Sequence, residues 1–252
     1  MLTTNPYALL AELLPPAVMQ GYIVAMIAAV VVGTLVDLSH KRSAEFFAQR
    51  RRTARAAARR ELGAGEVAAL AMRTLGHEVA AAGEFCKWPR RLSHLLTAYG
   101  FVMYLATTVL LAFFYPTAAR TPALLTFLWN LGALMVLAGG AWFFFFLKVD
   151  VAYERHSPFH LVRADLFIGA LLASTACGLL WHFAQTVDNH GAATWLLFGL
   201  YLFFTTLLFG SVPWSKFAHM FYKPAAAFQK RIEDADGSSD LPRPADKTFI
   251  AK

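Results

Sequence analysis

The 252-residue chain is 58% apolar and 14% aromatic, with 22 phenylalanines and a formal net charge of +7. That composition is too apolar for a water-soluble domain of this length, and its apolar runs of about 20 residues place it in a bilayer. Its two cysteines, Cys86 outside the apolar runs and Cys177 inside one, exclude a disulfide framework and a cysteine-ligated iron–sulfur cluster.

Residues 1–16 are short of charge and end in Pro15-Pro16. A first span is predicted over 17–36, closed by Asp37 and by His40-Lys41-Arg42. This run is long and ends in charge without a small-residue cleavage site, so no removable signal peptide is expected. Further spans are predicted over 92–115, 123–147, 166–185 and 194–214, the last continuing as helix through Tyr222 with a kink at Pro213. Each can cross roughly 30 Å of hydrocarbon at about 1.5 Å per residue, and a helix is the form that satisfies the backbone of a single run in lipid. The expected fold is therefore an all-α integral membrane protein, a five-helix bundle over 17–222 with a polar tail over 223–252.

Charge sets the expected orientation. Lysine and arginine crowd the segment between the first two spans, from Lys41 and Arg42 through Arg50-Arg51-Arg52 to Arg90 and Arg91. They recur at Lys148, Arg155 and Arg163 and in the tail, whereas the alternate connections hold almost none, Arg120 excepted. Basic segments stay on the cytoplasmic side, so the N-terminus is expected outside and the C-terminus inside. The protein is then a multi-pass component of the cytoplasmic (inner) membrane, and no nucleic-acid partner is expected.

The loop over 43–86 has helical character. An Ala- and Arg-rich stretch is broken at Gly63-Ala64-Gly65, and a second helix follows with Val67, Leu70, Leu75 and Val79 at helical spacing. Such a basic surface can lie on anionic lipid or dock an acidic partner. The tail beyond Pro224 is too polar for a core and is expected to be extended.

Topology sorts the eight histidines. His94 falls about one turn inside the second span and His219 about one turn beyond the fifth, so both lie at the inner level on different helices. A histidine at membrane depth is costly unless paired, solvated or bound. Matched imidazoles on facing helices suit bis-histidine ligation of one haem b, and Arg90, Arg91 and Lys216 at the same level suit its propionates. Interfacial histidines and snorkelling cations are the competing explanation. His182 lies near the outer end of the fourth span, where a bond to a backbone carbonyl or water is expected. Asn130 reads as interhelical glue.

Five spans with histidines on the second and fifth resemble the membrane cytochrome b subunit of respiratory nitrate reductase and the membrane subunits of heterodisulfide-reductase-like complexes. Arg91-Leu92-Ser93-His94-Leu95 running to Gly100-Phe101 is similar to the entry to the second helix of the latter group, and Ser215-Lys216-Phe217-Ala218-His219 to the end of their fifth. Within that group the chain most resembles the membrane anchor associated with adenylylsulfate reductase. The resemblance implies a haem on His94 and His219, exchange of electrons with quinone, and cytoplasmic flavoprotein and iron–sulfur partner subunits. At the positions matching the outer haem ligands of the nitrate reductase subunit this chain has Tyr104 and Tyr201, so that haem is not expected.

Two readings follow: a haem-bearing electron-transfer subunit, or a haem-free anchor that docks the soluble oxidoreductase. Neither gives this chain a complete catalytic site. A small transporter would need ionisable groups at mid-membrane, and the spans lack them.

Overall fold

The computed structural model describes residues 3–40, 43–83, 85, 87–117, 120–148, 165–212 and 219–239. Its regular elements are helices: α1 (Pro6–Ala11), α2 (Pro16–His40), α3 (Ser43–Ala57), α4 (Ala64–Thr74), α5 (Trp88–Phe114), α6 (Ala123–Trp142), α7 (Leu166–Val187), α8 (Ala192–Gly210) and α9 (His219–Asp236). π-turns extend α4 over Leu75–Ala80 and α6 over Phe143–Leu147. The chain divides into two units, one of residues 1–38 and 82–219, the other of 39–81 and 220–252.

The first unit carries five helices long and apolar enough to cross a membrane: Pro16–Asp37, Trp88–Phe114, Ala123–Leu147, Leu166–Val187 and Ala192–Gly210. Proline sits in the first turn of α5 and immediately before α6, where its missing N–H leaves no bond unmade. The fifth span is shorter than predicted. It stops at Gly210, where the Ser211 N–H donates to Leu207 O at 3.1 Å and the Ser211 hydroxyl to Leu208 O at 3.2 Å. The predicted kink at Pro213 lies outside the described residues.

Two helical hairpins form the core of this unit. α5 and α6 meet along small residues: a Cβ on Gly100 would lie 2.8 Å from Gly132 O, and one on Gly132 would lie 2.8 Å from Tyr104 N. Backbones this close gain dispersion contacts, the main source of helix association in lipid. The Ser93 hydroxyl donates to Gly139 O across the same seam at 2.8 Å. α7 and α8 pair through a 2.7 Å bond between the Ser174 and Thr205 hydroxyls and through Trp181 stacked on Tyr201, centroids 5.6 Å apart.

α2 is peripheral. Only 17% of its most apolar stretch is buried, against 33–39% in the other four spans, so most of its surface suits lipid. It is tied in by Gln20 Nε2 donating to Ala112 O and Tyr22 Oη donating to Leu202 O, each at 3.0 Å.

The N-terminal segment, for which the sequence predicts no element, is built into the unit. Asn5 caps α1 by accepting from Tyr7 N at 3.0 Å, and its Nδ2 donates to Tyr115 O and Thr121 Oγ1 at 2.8 and 3.0 Å. α1 then buries Tyr7 and Leu10.

The second unit holds α3, α4 and α9. The Arg50 guanidinium grips the buried Glu233 carboxylate with both ends, at 3.1 and 2.8 Å. At the C-terminal end of α9, Arg59 N donates to Asp236 O and Arg60 Nε to Ala235 O, both at 2.9 Å. Gly237, at φ +79°, ends that helix in the left-handed conformation glycine permits. Arg60 also pairs with Glu66 at 2.9 Å, and Glu66 accepts from Gly63 N at 3.1 Å to close the start of α4. The two loop helices thus form where the sequence predicts them. The tail does not: residues 219–236 are helical, with Pro224 inside the helix. Glu233 and the C-terminal carbonyls find basic partners on the α3 side, which the tail's own composition could not reveal.

Candidate functional site

Trp88-Pro89-Arg90-Arg91 opens α5, leaving Arg90 exposed and Arg91 half-buried. Ser93 is fully buried in the α5–α6 seam, and this fixes the rotation of the helix. His94, about 100° further round, is exposed on the flank, with its ring centroid 5.0 Å from that of Phe85. Phe101, seven residues on, shares that flank, and its ring lies 6.5 Å from Phe209 near the end of α8. The face of α5 that carries His94 is therefore the face that meets α8 two turns deeper. Arg90, Arg91 and His94 share the first turns of α5. Lys216 lies outside the described residues; the backbone of His219 opens α9, and its imidazole is likewise outside them.

The level of Tyr104 and Tyr201 is solid with side chains. Tyr104 packs on Trp129 at 5.0 Å, and a Cβ on Gly178 would lie 2.6 Å from the Tyr104 hydroxyl. Tyr201 stacks on Trp181, and its hydroxyl lies 3.2 Å from that of Tyr7. Tyr7 stands edge-on to both Trp129 and Trp181, at 6.3 and 5.9 Å. The Trp129 indole donates to Thr108 Oγ1 at 2.9 Å. A macrocycle at this level would have to displace that aromatic core.

Comparison with family models, curated proteins and solved structures gives no match. The chemistry open to this chain is therefore read from its own geometry.

His182 is fully buried beside Trp129, ring centroids 5.4 Å apart, and its Nε2 lies 3.0 Å from Thr4 Oγ1. Its partners are the hydroxyl and the main chain of Thr4, so the expected backbone contact stands beside a side-chain one. Thr4, Asn5 and Tyr7 escaped the sequence reading because a charge-poor stretch before the first span resembles a linker. The one local sign is Asn5-Pro6, a capping residue followed by a first-turn proline.

In the second unit Arg51, Arg52 and Arg55 are exposed on α3. Arg50 holds the Glu233 carboxyl below its ordinary value, more than offsetting the opposing effect of burial. The Arg60 guanidinium, helped by the Gly63 N–H, does the same for Glu66.

Proposed function

We propose that the chain is the membrane subunit of a quinone-linked oxidoreductase in the cytoplasmic membrane, and that it carries one haem b between His94 and His219. The observation that carries this reading is the flank of α5: His94 is exposed on the face that, at Phe101, packs against α8, the helix that leads towards His219. Phe101 and Phe209 would bound the deep side of such a site. Arg90, Arg91 and Lys216 would neutralise the propionates, and Phe85 would support the His94 ring. The bound haem would supply one-electron exchange, and the protein would set its axial ligands and the surrounding dielectric. The exposed arginines of α3 suit the acidic surface of a soluble flavin and iron–sulfur partner. By the sequence resemblance that partner is of the adenylylsulfate reductase type, with electrons passing from sulfite oxidation to quinone.

The haem-free anchor is the second reading. It is favoured by the Phe85 ring, which already packs against His94 with centroids 5.0 Å apart. The dithionite-reduced minus oxidised spectrum of the purified protein separates the two. A cytochrome b α-band at about one haem per chain supports the first, and a flat spectrum from protein expressed with haem supplied leaves the anchor.

A further inference from the structure

Among the polar atoms of the first unit that are buried with no hydrogen-bond partner among the described residues, four gather beside His182: Thr126 Oγ1, Asn130 Oδ1, His182 Nδ1 and Gln185 Oε1. They belong to one neighbourhood. Thr126 and Asn130 flank Trp129 on α6, and Trp129 is the residue on which His182 of α7 packs. Gln185 follows His182 by three residues, and its Nε2 donates to Pro6 O at 3.1 Å, so it too lies beneath α1.

The chemistry of the four is unbalanced. The Asn130 and Gln185 amide oxygens only accept, and the Asn130 Nδ2 gives one of its two hydrogens to Thr126 O at 2.8 Å. His182 Nε2 is engaged with Thr4 Oγ1 at 3.0 Å. If Thr4 donates to Nε2, Nδ1 carries a proton that needs an acceptor. If Nε2 donates to Thr4, Nδ1 is a bare acceptor. The Thr126 hydroxyl is the one donor the four hold in both cases, and it meets a single need. Dry, each atom left over would bear the full penalty of a buried, unpaired polar group.

We propose that these side chains form an internal water site, with His182 as its centre and Thr4 as its link to the exterior. Water supplies the missing donors, accepts in either histidine tautomer, and typically takes two to four such partners. The ligand class is thus water and, through it, the proton, since a neutral imidazole bridging water and a hydroxyl can change tautomer without placing a charge in the hydrocarbon. The proposal is independent of any haem at the other end of the bundle.

Two measurements on the full-length protein test it. Thr126→Val preserves shape and removes the hydroxyl. A hydrated site loses one of the water's partners, and Tm falls by about 2–4 °C. A dry site loses an unpaired hydroxyl, and a Tm at or above that of the parent overturns the proposal. Should the variant fail to assemble, radiolytic hydroxyl-radical labelling of the unmodified protein decides. Bound water generates the radical locally, so His182 should be oxidised at a rate within about threefold of the exposed His190. Protection of His182, scaled for intrinsic reactivity, to the level of Phe144, which is buried at the opposite end of the third span, overturns the site.

Discussion

Replacing Gly132 with alanine tests whether the α5–α6 seam holds the bundle together. The new Cβ would stand 2.8 Å from Tyr104 N, 2.9 Å from Gly100 O and 3.1 Å from Tyr104 Cα. All three are backbone atoms, so no side chain can swing aside. Ordinary contacts need about 3.5 Å or more, and α5 must retreat by roughly 0.5–1 Å at that level. Overpacking of this kind costs about 1–3 kcal/mol, and stretching the Ser93–Gly139 bond adds about 1. Alanine returns up to about 1 kcal/mol of helix propensity. The net loss is about 1–3 kcal/mol, a fall in Tm of roughly 3–10 °C for a chain of this size. Gly199→Ala is the control, because nothing lies within 4 Å of a Cβ there, and it should be neutral or mildly stabilising. Thermal unfolding of both variants in the same detergent reads the difference. Equal midpoints would refute the close-packed seam.

His94→Ala and His219→Ala should each remove the cytochrome b α-band, while His182→Gln should leave it in place; a band that survives His94→Ala excludes that ligand. Glu233 has its carboxyl held low by Arg50, so the stability it contributes is complete above the ordinary carboxyl value and is lost as pH falls below it towards the folded-state value. Amide protection of α9, corrected for intrinsic exchange rate, should therefore hold down to about pH 5 and drop as pH falls from about 5 to about 3, and Glu233→Gln should flatten that dependence. Asn5→Ala removes a helix cap and two bonds to the α5–α6 connection, at a cost of about 1–3 kcal/mol. Faster hydrogen exchange over residues 7–11 would report it, and unchanged exchange would show that Tyr7 alone seats α1. For topology, Arg120→Cys in a background with Cys86 and Cys177 replaced by serine should react with an impermeant maleimide on intact cells, and Glu61→Cys should not. The reverse pattern would invert the assigned orientation.

The spans were legible because apolar length is a property of each segment by itself: all five begin and end within four residues of their predicted bounds. The loop helices were legible for the same reason. α9 was not, because Pro224 and the acidic stretch from Glu233 read as the end of structure; only the arginines at 50, 59 and 60, distant in sequence, show what satisfies it. The seam left a trace that charge and hydropathy overlook, since Ser93 and Gly100 are spaced by seven residues and so are Gly132 and Gly139. Two turns of small residues on facing helices is a packing signal. The His182–Thr4 contact joins residues 178 positions apart and depends on α1 folding back, so no local pattern encodes it.

The two hairpins bear on the order in which the protein can be made. The most extensive helix interfaces, α5 with α6 and α7 with α8, join neighbours in the chain. Each pair can therefore close soon after its second helix leaves the ribosome. α2 is different. It is synthesised early, yet Tyr22 bonds to Leu202, 180 residues later. Until α8 arrives, α2 has to stand among lipids without that support. Its exposed valines, isoleucine and leucine, Val24, Ile27, Val31 and Leu35 among them, make the wait tolerable. The same surface that leaves α2 loosely held in the finished bundle suits it to stand in lipid ahead of the four apolar helices that follow it.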